Sequence, residues 1–357
     1  MRFSTVEEPP IDLPLAEFRR IDTLFAYHVE LALAPISLLY LIYADPVTLL
    51  VLQTVVLGLG ALPAFWLGRD RLDSGWAGLV FALAYLLAPA LEGANLSDFH
   101  AVSMTASLLL YAFYFLQARR FAPFAAFALL AMTTKEDIPL LVAMMGIYAI
   151  VRLRAYRVGA AAVVAGGGWF LICTQVILPY YNGLPNSPFL QRMLIFGPTI
   201  KDSLLNVARR PMQVIDWLRQ PQIVTYLSGL LSSAGYMPLL SPLTLAISAP
   251  VVAMNVFSAW DWTYSEGAHY SASILPFIVI SGIYGLDWLA RQVSRRTAIP
   301  RRRAVDALAL VVLAVAGLHH YQIGMSPLAA NYFPPQVTDH HRLGHRLMDR
   351  IPSGAPL

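Results

Sequence analysis

RRFAPFAAFALLAMTTKEDIPLLVAMMGIYAIVRLRAYR, residues 119–157, carries the plan of the molecule in one stretch. Two apolar runs, 121–134 and 138–151, flank Lys135, Glu136 and Asp137, and arginines close both outer ends: Arg119 and Arg120 before, Arg152, Arg154 and Arg157 after. Each run holds about 14 residues, and at about 1.5 Å per residue that is too short to cross a hydrocarbon core about 30 Å thick upright. The pair predicts a helical hairpin that brings a polar turn to the membrane boundary. Arginines sit at one end of it and a lysine-carboxylate cluster at the other.

Composition extends this pattern to the whole chain. With 57% hydrophobic and 13% charged residues among 357 and a mean hydropathy of +0.59, the chain cannot fold around one soluble core, so lipid is the solvent for most of its surface. The net charge of +4 reports how loops are charged in a membrane protein; no basic stripe interleaved with aromatics is present, and no nucleic-acid partner is expected. The single cysteine, Cys173, lies inside an apolar segment, which excludes an intramolecular disulfide and a cysteine metal site. The first twenty residues, with Glu7, Glu8, Asp12 and Glu17, lack the layout of a signal peptide.

Further spans are read at 47–67, 75–91, 101–116, 158–180, 270–289 and 304–318, and 223–257, broken by Gly235, Pro238 and Pro242, is read as a hairpin. Arginines occupy alternate connections: Arg69 and Arg71, Arg119 and Arg120, Arg152 to Arg157, then Arg291, Arg295, Arg296 and the run 301–303. The intervening connections hold Asp45, Asp98 with His100, Lys135 to Asp137, and Asp261, Glu266 and His269. Basic residues collect in cytoplasmic loops, so the second set is extracytoplasmic. The expectation is an all-α polytopic integral membrane protein with about ten transmembrane helices. Its parts are an N-terminal segment with interfacial helices (1–46), transmembrane helices with short external turns (47–180), an external amphipathic loop (181–222), transmembrane helices including the broken hairpin (223–322) and an external tail (323–357). If 31–43 lies along the outer interface, all eight histidines are on or beside the outer face; if it crosses, His28 and Glu30 are inside.

HVELALAPISLLYLIYADPVTLLVLQTVVLGLGALPAFWL from residue 28, ALAYLLAPALEGANLSDFH from 82, KEDIPLLVAMMGIY from 135 and HYSASILPFIVISGIYGL from 269 resemble successive blocks of the bacterial and archaeal membrane family called domain of unknown function 2079. That family is similar in organisation to the GT-C glycosyltransferases, which move a sugar from a polyprenyl-phosphate carrier to an acceptor outside the cytoplasm. The resemblance implies a GT-C-like bundle in a prokaryotic plasma membrane with its active face extracytoplasmic, taking a polyprenyl-phosphate hexosyl or pentosyl donor. It also implies members that open with a further span and an acidic external loop, which this chain is read as lacking.

Such transfer asks for a carboxylate as base or divalent-metal ligand, and for groups that neutralise a departing phosphate. Asp98, Glu136 and Asp137 are the catalytic candidates; His28, Glu30, His100, Lys135, His269 and Tyr270 are the substrate-binding candidates. Each has a plainer alternative. Asp98 is either a base or the cap of the next helix. Charges between two short apolar runs are costly and tend to be functional or paired, so the triad at 135–137 is either a phosphate and proton site or a self-neutralising turn with Asp137 capping the helix at Pro139. His269 either contacts phosphate or anchors at the headgroup level beside Tyr270. No metal ligand set is fixed by spacing; His341 and His345 are read as ordinary exposed tail histidines, and Gly166 to Gly168 as helix-packing residues. A lipid-binding or transport protein without transferase activity is the alternative function.

Overall fold

The described residues of the computed structural model, 23–183, 195–197, 200–334, 336–348 and 350–351, form helices and connecting turns, with no strand among them. The acidic opening stretch, and residues 184–194 and 198–199 of the expected loop, lie outside that set.

After a short helix α1 (Leu33–Ser37), α2 (Val47–Leu72) runs 26 residues. It contains Pro63, which has no N–H for the carbonyl four residues earlier. The Tyr111 hydroxyl donates to that carbonyl, Leu59 O, at 3.1 Å. Gly60 leaves room for Tyr85 and Ser107, whose hydroxyls donate to Leu57 O at 2.9 and 3.1 Å. In lipid, backbone polar groups must be satisfied inside the protein, so these three hydroxyls let an apolar helix carry a proline across.

The run expected at 75–91 breaks. Ser74 caps α3 (Gly75–Leu86) by accepting from Ala77 N–H at 3.2 Å, and α4 (Pro89–Leu96) departs at 44°. The Leu91 N–H turns to Ala88 O, and His320 Nδ1 lies 2.9 Å from Leu87 O at the break. The bend thus has a proline for its cause and a histidine as its partner.

α5 (Thr105–Gln117), α6 (Phe121–Met132), α7 (Ile138–Leu153) and α8 (Tyr156–Asn182) follow. A Cβ at Gly146, Gly159 or Gly166 would strike the facing backbone of the α7–α8 pair, which is why those helices approach closely; Gly167 and Gly168 face open space and contribute nothing to it. Then come α9 (Ile200–Arg209) and α10 (Pro211–Leu218), which belong to the loop region, α11 (Pro221–Ser232) and α12 (Pro242–Val256). The 223–257 segment is broken between α11 and α12 at its glycine and prolines. Its turn, with Gly235 and Tyr236 at φ +62° and +58°, packs Met237 O against Gly285, and its return brings Asn255 Nδ2 within 3.0 Å of Tyr270 O. α13 (Leu275–Arg296), α14 (Arg301–Ile323) and α15 (Asp339–Met348) complete the chain.

Among the described residues three helices, Val47–Leu72, Tyr156–Asn182 and Arg301–Ile323, are long and apolar enough to cross a membrane, and the bent α3–α4 pair makes up to four. The other apolar helices, Ala101–Gln117, Phe121–Met132, Ile138–Leu153 and Pro242–Val256, are shorter. Arginine-bearing turns gather at one end. Arg119 Nη2 donates to Leu153 O at 2.7 Å, Arg301 Nη2 donates to Arg71 O at 3.2 Å, and Asp287 binds Arg71, Arg291 and Arg301.

Candidate site at the histidine and carboxylate end

The turn between α6 and α7 is shaped by its own hydroxyls. Thr133 and Thr134 donate back to Leu130 O and Ala131 O at 2.7 and 2.8 Å, ending α6. Pro139 in the first turn of α7 starts the next helix with its φ already set. Between these stops, Lys135, Glu136 and Asp137 are held in a tight turn. Asp137 occupies the N-cap position, but its side chain makes no capping hydrogen bond. The expected cap is therefore absent.

The segment before α1 is strapped across this turn. His28 Nδ1 lies 2.9 Å from Glu136 Oε1, the Val29 N–H donates to Glu136 Oε2 at 3.1 Å, and the Ala32 N–H donates to Thr133 O at 3.0 Å. Residues 31–43 accordingly lie beside the carboxylate end, and Leu38, Leu41, Ile42 and Tyr43 are exposed apolar side chains. Both oxygens of Glu136 are engaged. Burial pushes its carboxyl up, but the hydrogen bond and charge of His28, together with Lys135, outweigh that and hold it below the usual carboxylate range.

Asp137 differs. One oxygen, Oδ2, is 3.6 Å from Lys135 Nζ, while Oδ1 is buried with no hydrogen-bond partner among the described residues. Buried polar atoms are rarely left unpaired, so Oδ1 is unused acceptor capacity in a residue only 6% exposed. Lys135 keeps its charge: burial works against the ammonium, and Asp137, Glu136, Tyr270 and Glu30 more than compensate, raising its pKa. Glu30 is shifted upward, chiefly by burial, against the pull of His28 and Lys135 and with the push of Glu136 and Asp137. Environment thus separates two carboxylates of one cluster, Glu136 toward the ionised form and Glu30 toward the protonated one.

The histidines of two other connections meet here. His100 and His269 stack with ring centroids 3.7 Å apart, and Tyr270 tilts against His269 at 4.2 Å. Gln53, fully buried in α2, accepts from the His100 N–H at 3.0 Å and donates to Ala94 O at 3.1 Å. It fixes the loop that presents the ring. Because His100 Nδ1 lies 2.8 Å from Asp98 O, the ring donates through Nδ1. Burial, then His100, Lys135 and His28, lower His269 to about 2, so its imidazole is neutral. The Asp98 side chain is exposed. His100, not Asp98, precedes the following helical turn, so Asp98 does not cap it.

A second carboxylate-histidine group adjoins the first, and residue spacing alone had singled out none of it as a site. Glu266 is 3.3 Å from His319 Nε2, and Glu92 Oε2 is 3.6 Å from His320 Nδ1 and accepts from Met325 N–H at 2.7 Å. Gly93 packs against the backbone of Glu266 and Gly267, two residues from His269. The available signals were Glu92 and Gln53, polar residues inside otherwise apolar runs. Among the described residues no three His, Cys, Asp or Glu side chains stand close enough to share a metal ion, so the cluster present does not form a ligand set for one.

Eight of the nine candidates, all but Asp98, therefore form one connected group of hydrogen-bonded, stacked or charge-coupled side chains. No curated protein and no solved structure matches the chain. The family described as Predicted membrane protein (DUF2079) matches residues 9–357, starting ahead of the blocks that carry the resemblance, and the chain belongs to that family.

Proposed function

We propose that the chain crosses a prokaryotic plasma membrane about ten times with its arginine end cytoplasmic, and that the opposite, extracytoplasmic end acts on a polyprenyl-phosphate-linked sugar. On this proposal 47–180 and 223–322 hold the crossings, while 181–222 and 323–357 lie outside. The short helices are accommodated because they pack beside longer ones and because the bilayer can thin around them. Prominent support comes from one observation: Asp137 Oδ1, buried and unpaired, adjoins the charged Lys135.

In the reaction, Asp137 takes the proton of an acceptor hydroxyl as that oxygen bonds to the anomeric carbon. The bond from that carbon to the phosphate oxygen breaks, and its electron pair leaves with the phosphate. Lys135 balances the charge that develops there. Glu136 holds the strap that closes the site, and the His100–His269 stack forms a wall beside the donor. Asp98 stands at the rim.

The test is to incubate the purified protein in lipid with a panel of polyprenyl-phosphate sugars and follow release of the carrier, comparing Asp137→Asn, Lys135→Ala and Asp98→Asn. Release by the wild type that Asp137→Asn abolishes and Asp98→Asn leaves within a few-fold is the expected result. If the wild type releases no more than Asp137→Asn, transfer is refuted. Binding of the carrier that still depends on Lys135 then favours a lipid-binding role.

A further inference from the structure

At the arginine end, three guanidinium groups from three helices converge on one carboxylate. Asp287 of α13 is 1% exposed. Arg71 Nε of α2 lies 2.9 Å from its Oδ2, Arg291 Nε of α13 lies 2.9 Å from its Oδ1, and Arg301 Nη2 of α14 lies 2.8 Å from the same Oδ1. Three positive charges therefore share a single negative one. Arg71 also stacks on the Tyr284 ring at 4.5 Å, and Arg301 is tied to the backbone of Arg71 and Leu72, so two of the three guanidiniums are held in place. The neighbouring acids do not neutralise the set: Asp306 accepts from Ser74, and Asp73 makes no ion pair among the described residues. Arg295, Arg296, Arg302 and Arg303 add further positive charge on the same two helices.

A carboxylate alone would be served by one bidentate arginine. Here each of the three arginines gives Asp287 a single nitrogen and stays one-third to one-half exposed, with side-chain exposures of 34%, 50% and 32% for Arg71, Arg291 and Arg301. The Nε atoms of Arg71 and Arg301 are buried without a hydrogen-bond partner among the described residues, so donor capacity beyond that used by Asp287 is present in the cluster. Fixed guanidinium groups with spare donors around a residual positive charge match the geometry of a phosphate. We propose that this cluster is a binding site for a phosphate monoester, at the end of the molecule opposite the candidate site and independent of what that site does. The oxyanion would accept from Arg71, Arg291 and Arg301 together, joining α2, α13 and α14 from outside as Asp287 joins them from within. The phosphate can come from an anionic lipid headgroup or from solution.

The test uses the full chain in phosphatidylcholine nanodiscs, with thermal unfolding and native mass spectrometry as readouts. Phosphatidic acid is titrated into the bilayer, and inorganic phosphate into the buffer. Expected is a rise in unfolding temperature and retained phosphatidic acid in the wild type, weakened about tenfold in Arg291→Gln, since one charge-assisted contact is lost. Arg291 is half exposed and bound only to Asp287, and Arg71 and Arg301 still hold that carboxylate, so this variant keeps the fold. Arg303→Gln is the comparison, because Arg303 makes no ion pair to Asp287. A response to phosphatidic acid alone assigns the lipid headgroup; a response to inorganic phosphate as well assigns the free ion. No response to either overturns the site. So does an equal loss in Arg303→Gln and Arg291→Gln, which would reduce the effect to general basic charge.

Discussion

Replacing Glu136 with alanine separates the strap from the turn it crosses, and the cost can be worked from the contacts. Two hydrogen bonds end on this carboxylate, from His28 at 2.9 Å and from the Val29 N–H at 3.1 Å. Hydrogen bonds to a charged group contribute about 1.5–3 kcal/mol each. Part of that returns when both partners meet water, so opening of the strap becomes easier by about 2–3 kcal/mol. At about 1.4 kcal/mol per tenfold, exchange of the Val29 amide should accelerate by roughly 30- to 140-fold. Val29 stays packed on Cys173 and Leu178, which is why the segment loosens without the bundle unfolding. Hydrogen–deuterium exchange of the protein in nanodiscs, read on peptides covering residues 24–34, gives the measurement. Glu136→Gln keeps an acceptor for Val29 and should be milder, by about tenfold, because only the charge is lost. Acidification should mimic the substitution. The folded carboxyl is held below its ordinary range, so its contribution is complete above the unfolded carboxylate pKa and is lost as pH falls through the folded one. If Glu136→Ala leaves exchange at Val29 and Ala32 within a factor of two of the wild type, the apolar contacts alone hold the strap.

Asp287→Ala should lower stability by about 3–5 kcal/mol by stranding three arginines, whereas Arg291→Ala, half exposed, should cost under about 1 kcal/mol; equal unfolding temperatures in nanodiscs would contradict the assignment of Asp287 as the tie. His269, lowered to about 2, is neutral when folded and protonates more readily when unfolded, so its contribution is complete above about 6.5 and falls as the solution is acidified below that. His269→Gln should flatten the unfolding-temperature profile between about pH 6.5 and 4, and an unchanged profile would count against the burial that causes the shift. On a Cys173→Ser background, single cysteines at 98 and 135 should react with an impermeant reagent from one side and a cysteine at 303 only from the other; opposite sidedness of 98 and 135 would dissolve the shared site. Lys135→Ala should weaken binding of an isoprenoid phosphate by at least about tenfold, as expected for a lost charge-assisted contact, and Lys201→Ala should not; equal effects would remove Lys135 as the phosphate anchor.

The two-ended arrangement was legible because a membrane constrains sequence at long range with a local rule. Arginine excess alternates from one connection to the next, and that alternation needs no knowledge of packing. It carried the expectation of a hairpin at 223–257, where prolines and Gly235 gave an independent reason for the chain to turn. The same logic grouped His100, Lys135 and His269 at one end, while His28 depended on the path of 31–43, which the alternation left open. Proximity within that end was not legible. Whether Glu136 or Asp137 is already occupied depends on His28, 108 residues away in the chain, and on the Val29 N–H, a backbone group that no residue pattern advertises.

The broken run at 75–91 shows where the limit falls. Pro89 is visible in the sequence and removes the N–H that Tyr85 O would accept from; the Ala88 N–H takes that place at 3.3 Å, and the bend draws the Leu91 N–H to Ala88 O, so that Leu87 O loses its helical partner. Which group replaces the partner is a question of tertiary packing. Leu87 O is met by His320 Nδ1 at 2.9 Å, and the other ring nitrogen of His320 accepts from the Ser326 hydroxyl at 2.8 Å. A histidine that in sequence resembled one more member of an outer-face set is thereby a backbone cap, buried at 3% exposure. His100 and His269 differ from it in one physical respect. His320 has both nitrogens committed to protein partners, whereas among the described residues His100 shows one ring-nitrogen hydrogen bond, from Nδ1 to Asp98 O, and stacks on His269. Committed ring nitrogens, and not residue type or position along the chain, are what mark His320 as a histidine that holds this fold.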